Sequence, residues 1–150
     1  MTEDRPYIEA NARQLERLRA LVERLDDEAL TAPVNEYWTV AGVLGHVAYW
    51  DLRFQTLAAK IELGEPWAAG DAEPDGDWLN DSMRPLIHAL APRTAAELAL
   101  RTADETDARA ADLPLNRLWP SDPDSPISPA RGEHRGEHLD EIEAALRARG

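Results

Sequence analysis

One stretch dominates any reading of this chain. Between Thr39 and Gly64, Val40, Val43, Leu44, Val47, Trp50, Phe54, Leu57 and Ile61 recur at helical spacing. At the helical repeat they fall within an arc of roughly 140°. A strand needs apolar and polar residues to alternate, and no such run occurs here or elsewhere in the sequence. A helix of this length must bury its stripe against other helices. Thr39 is its predicted N-cap, and the helix is expected to run to Leu63 with Gly64 as the stop. His46 lies just outside the edge of the arc and faces the interior obliquely.

The remaining segments supply the partners. Ile8, Leu15, Leu18, Val22 and Leu25 form one stripe, predicting a helix over 7–25 with Pro6 just ahead. A single helical turn is expected over 27–31. The stretch 65–77, with two Pro and two Gly, reads as a loop. A weaker helix follows over 78–90, interrupted by Pro85. Thr94 is the predicted cap of an Ala-rich helix over 95–112. Five prolines mark 113–129 as a second long loop. Ser128 is the expected N-cap of the last helix, with Pro129 at its first position, and Leu139, Ile142 and Leu146 form its apolar face. The expectation is an all-α four-helix bundle with a short extra helix before helix three. At 150 residues it is expected to be a single domain over 1–150.

Composition narrows the function. With 16 Lys+Arg against 29 Asp+Glu, the net charge is −13. Such a chain lacks the basic footprint that nucleic acid or an anionic membrane requires, so neither is an expected partner. The N-terminal residues are polar and acidic, and no apolar run approaches the ~20 residues of a membrane span. The expected location is cytoplasmic. There is no Cys, so disulfides, thiolate metal sites and a cysteine nucleophile are excluded. A metal ion would have to use His and carboxylates.

Four His are present, and three form a pattern. His134 and His138 stand at i and i+4 on the last predicted helix, one turn apart on one face. Ile142 continues that line toward the core. Together with His46 they make a possible three-His site with open coordination positions, the mark of a catalytic rather than a structural ion. The bland reading is surface or packing histidine, which is the reading adopted for His88. Gly42, Gly45, Gly132 and Gly136 flank these histidines, and each mid-helix Gly costs about 0.5–1 kcal/mol relative to Ala. Close backbone approach or room for a ligand would account for them. The run His134-Arg-Gly-Glu137-His138 matches an inverted zinc-peptidase motif with Glu137 as general base. Helical geometry sets Glu137 apart from the two His, and a peptidase is not expected.

The stretch from Trp38-Thr39 through Leu44-Gly-His46 to Trp50-Asp51, with the closing His134-x-x-x-His138 run, resembles the DinB/YfiT-like superfamily of helical metalloenzymes. The resemblance spans nearly the whole chain. It implies a four-helix bundle with a divalent metal, zinc or nickel, held by His46, His134 and His138. It also implies metal-dependent S-transferase or isomerase chemistry on a small-molecule substrate, with a low-molecular-weight thiol as cosubstrate. The alternative is a non-catalytic metal-containing protein that binds or sequesters a small molecule. A homodimer is a further expectation. Trp38, Trp50 and Arg53 are the candidate pocket residues. Arg53 or Arg135 can bind a substrate carboxylate, although surface pairing with Glu is the expected role of Arg135. Glu137 and Asp51 are candidate partners for the far side of the ligand rings.

Overall fold

A computed structural model describes residues 5–65 and 76–150. Among them are six α-helices: α1 (Tyr7–Arg24), α2 (Asp27–Leu30), α3 (Val40–Glu62), α4 (Gly76–His88), α5 (Pro92–Asp112) and α6 (Arg131–Arg149). The described residues form no strand, only an isolated bridge between Pro33 and Thr39. None of these helices is long and apolar enough to cross a membrane. The loop expected over 65–77 falls mostly on 66–75, outside the described residues.

The four long helices form the bundle. α1 and α3 each pack against both α5 and α6, so the order around the bundle is α1, α5, α3, α6. α4 is the short extra helix and lies on α3.

Two apolar clusters share α3. The first gathers Leu18, Leu21, Leu30, Val40, Leu44, Leu139 and Ile142 around Ala95, Ala96, Ala99 and Ala103 of α5. The alanines let α5 approach closely, which is how a helix with a thin apolar stripe becomes a core element. The second cluster joins Phe54, Leu57, Ala58 and Ile61 to Ala110, Leu113, Leu118 and Ile127. His46, Trp50 and Asp51 sit on α3 where the first cluster gives way to the second.

The helix ends show where local and distant forces compete. Thr39 caps α3 as expected, its hydroxyl accepting from Gly42 N at 3.0 Å. Gly64 follows the helix with φ +73°, which a side chain would resist. Two other starts differ from expectation. α5 begins at Pro92 behind Ala91 rather than at Ala95 behind Thr94, because proline is well placed in a first turn. α6 begins at Arg131, and Ser128 is not its cap. Instead Asn11 of α1 reaches across: its Oδ1 accepts from Gly132 N at 2.7 Å, while its Nδ2 donates to Pro129 O at 2.9 Å. A buried side chain from another helix thus satisfies the donor that a local cap would have taken.

The glycines mark close approach between elements. A Cβ on Gly132 would meet Ala10 O of α1 at 2.9 Å. One on Gly45 would meet Ile87 of α4 at 2.5 Å, and one on Gly42 would collide with the His88 ring. His88 therefore has a packing role, set in the Gly42 notch and edge-on to Trp38.

Candidate metal centre

α6 carries His134 and His138 one turn apart, and the packing of α3 on α6 brings His46 to meet them. The three Nε2 atoms lie 3.0 Å (His46 to His138), 3.1 Å (His138 to His134) and 3.3 Å (His134 to His46) apart. Three ring nitrogens in one triangle cannot all be satisfied by protons shared among themselves. A tetrahedral ion with metal–nitrogen bonds of 2.0–2.1 Å holds its ligand nitrogens about 3.3 Å apart. The observed triangle fits that donor set closely, so these three residues form a group able to hold a metal ion.

The electrostatics agree with the geometry. Burial, and then the charge on His138, push His46 down to about 4. Burial and the same neighbour push His134 down to about 2. Both rings are therefore neutral at pH 7, with lone pairs available. The third ring is oriented from behind, as His138 Nδ1–H donates to Glu141 Oε2 at 3.1 Å. That bond fixes the tautomer and turns Nε2 into the triangle.

The triangle forms part of the wall of a cavity of about 530 Å³. Trp38, Trp50 and Val43 give it apolar walls, and Asn35, Asn80, Arg131 and Glu141 give it polar ones. Trp38 and Trp50 stand edge-on to His46, with ring centres 5.7 and 6.3 Å away. Ligand sites of this kind are concave, largely apolar and furnished with a few placed polar groups.

A family model described as the DinB superfamily matches residues 10–146. The chain belongs to the DinB superfamily. Searches of curated proteins and of solved structures returned no match.

Within this DinB-superfamily bundle, the residues singled out in the sequence divide clearly. His46, His134 and His138 converge, and Trp38 and Trp50 line the same cavity. Arg53 is not among the lining residues; its guanidinium stacks 5.6 Å from the centre of the Trp50 ring. Glu137 is exposed. The partner on the far side of the His138 ring is Glu141. Asp51 is buried, but it pairs with arginines rather than with a histidine.

Arg135 departs furthest from expectation. It does not pair with Glu at the surface: it is 1% exposed, between α3 and α5. Its Nη1 and Nη2 donate to the two Asp107 oxygens at 3.1 and 2.9 Å, and Nη2 also reaches Asp51 Oδ2 at 3.4 Å. Burial opposes its charge, but Asp107 and Asp51 outweigh burial and raise its pKa. Burial pushes the Asp51 carboxyl up, with Arg131 and Arg135 pulling against it.

Sequence reasoning missed Arg131, Asn80 and Glu141. Glu141 stands three residues after His138, a spacing that itself predicts contact on a helix. Arg131 stands at the same spacing before His134. Asn80 gave no such signal, because its place depends on how α4 lies over α3.

Proposed function

We propose that this chain is a metal-dependent enzyme of the thiol-dependent S-transferase or isomerase type, with His46, His134 and His138 as ligands of a zinc or nickel ion. The observation that carries the reading is the convergence of three Nε2 atoms on the wall of a cavity. When bound, the ion supplies Lewis acidity, lowering the pKa of a water or thiol brought to it. The protein's own groups prepare that chemistry. The depressed basicity of His46 and His134 keeps protons from competing for the ligand lone pairs. Glu141 holds His138 in one tautomer. Trp38, Trp50 and Val43 limit water around the reacting atoms, which strengthens every electrostatic interaction there. With no Cys in the chain, a thiol nucleophile must arrive with a cosubstrate.

Elemental analysis of protein dialysed against zinc or nickel tests the ligand set. About one ion per chain is expected, and His46→Ala, His134→Ala and His138→Ala should each reduce it. An undiminished occupancy in His46→Ala would refute a site shared by two helices. Turnover is tested by incubating loaded protein with monobromobimane and a panel of low-molecular-weight thiols. A metal-dependent rate supports the enzyme, whereas none with any thiol favours the binding or sequestering alternative.

A further inference from the structure

His46 keeps one polar atom that the fold leaves unanswered. The residue is 7% exposed, and its Nδ1 has no hydrogen-bond partner among the described residues. Its Nε2 is the atom in the triangle. A ring that offers the Nε2 lone pair to an ion carries its one proton on Nδ1, so Nδ1 must then donate. A buried donor left unpaired is costly, so an acceptor is needed beside it.

The surroundings narrow the choice. Trp38 and Trp50 stand edge-on to the ring, but an indole N–H only donates. The Arg131 guanidinium has no acceptor either. Asn35 Oδ1 accepts from Tyr37 N at 2.9 Å and from Trp38 N at 3.0 Å, which occupies both of its lone pairs. Glu141 is turned to His138 Nδ1. Among the polar residues of the cavity wall, that leaves Asn80 of α4. Its Oδ1 accepts from Trp50 Nε1 at 3.0 Å and has a second lone pair to give. Trp50 stands one turn beyond His46 on α3, so the oxygen it holds lies along the same face. Asn80 already bears on the ring: it favours a proton on His46, the effect of an acceptor and not of a donor. α4 is also seated on this part of α3, because Ile87 fills the notch at Gly45, the residue before His46.

We propose that Asn80 is the positioning residue of His46, receiving the Nδ1 proton on its Oδ1 and so turning Nε2 to the metal ion. This rests on reading the three histidines as metal ligands. One amide oxygen then bridges two donors of α3, Trp50 Nε1–H and His46 Nδ1–H. It does for His46 what Glu141 does for His138. The metal centre thereby draws on a third helix, α4, besides the two that carry the histidines.

Two measurements test the assignment: zinc affinity by competition with a chelator, and exchange of the ring N–H protons in zinc-loaded protein by NMR. Asn80→Leu, close in volume but without an acceptor, should weaken zinc binding about 10–100-fold. Asn80→Asp, which keeps an acceptor, should recover most of that loss. In Asn80→Leu the His46 Nδ1 proton should exchange faster with solvent, while the His138 Nδ1 proton, held by Glu141, keeps its wild-type rate. Equal acceleration of both protons would mean a general loosening of the bundle and overturns the proposal. Should Asn80→Leu lack a cooperative melt, Asn80→Ala decides the same question. An undiminished zinc affinity in a folded variant without the acceptor overturns the role of Asn80 and leaves the metal reading standing. Absence of bound zinc from wild-type protein overturns the metal reading, and this one with it.

Discussion

α3 and α6 both supply histidines to the triangle, yet they are held by opposite means. α3 buries most of its residues, among them Val40, Leu44, Phe54 and Ile61, along two apolar clusters. α6 buries only Gly132, Arg135, Gly136, Leu139 and Ile142. Its N-terminal half is fixed by polar contacts: Asn11 on Gly132 and Pro129, and Arg135 on Asp107 and Asp51. Further along, Arg17 of α1 pairs with Asp140 and Glu143. Apolar packing is non-directional and tolerates small shifts, whereas hydrogen bonds and ion pairs have fixed geometry. The helix with two of the three histidines is thus placed by the more directional set of forces.

That contrast can be broken at its strongest point. Arg135→Met should cost about 3–5 kcal/mol in denaturant unfolding, because Asp51 and Asp107 lose a buried partner. Leu44→Ala, in the first cluster, should cost about 2–5 kcal/mol by the cavity it leaves. A loss below about 1 kcal/mol for Arg135→Met would mean that α6 is held by its few apolar contacts after all.

A smaller effect is expected at Asn11. Asn11→Ala removes both of its bonds to the start of α6 and should cost about 1–3 kcal/mol. The sharper readout is hydrogen exchange. Protection should fall at Gly132 and the next turn while α3 amides keep theirs. A uniform loss across both helices would show that they open as one unit.

Acid should act on the triangle itself. In metal-free protein the folded His46 and His134 titrate at about 4 and about 2, against 6.5 ordinarily. Unfolded chains therefore take up protons that the folded chain refuses, so their contribution to stability is complete above pH 6.5 and declines as pH falls toward 4. The melting temperature should drop across that window, and less so in His46→Ala. A melting temperature unchanged between pH 6.5 and 4 would contradict the burial of neutral His46 and His134 rings.

The smallest stability change belongs to Glu141→Gln. The residue is exposed, so the expected shift lies within about 0.5 kcal/mol. Metal affinity should nonetheless fall about 10–100-fold, as it does when an outer partner of a ligand histidine is lost. Equal affinities would assign the orientation of His138 to packing alone.

These differences also explain what the sequence could reveal. Periodicity located α1, α3 and α6 to within about two residues, because an amphipathic stripe is a local signal. The His134–His138 pair was readable for the same reason. Arg135 was misread because its partners, Asp107 and Asp51, stand 28 and 84 residues away in the chain. Spacing along one helix says nothing of a carboxylate on another. The start of α6 was misjudged on the same account, since Asn11 lies 121 residues from Gly132. Arg53 shows the limit of spacing from the other side: it sits on the expected helix beside Trp50, and its guanidinium stacks on that ring.

The separation of 92 positions between His46 and His138 carries a consequence for the order of events during synthesis. A nascent chain that has emerged as far as Asp112 can already pair α3 with α5 and α1 with α5. Its His46 then stands at the edge of a half-built groove without the two histidines of α6. Only when α6 arrives, and Asn11 and Asp107 receive it, does the triangle close. Closure of the triangle thus waits for α6, and a product truncated after Asp112 carries His46 in an open groove in place of the three-histidine group.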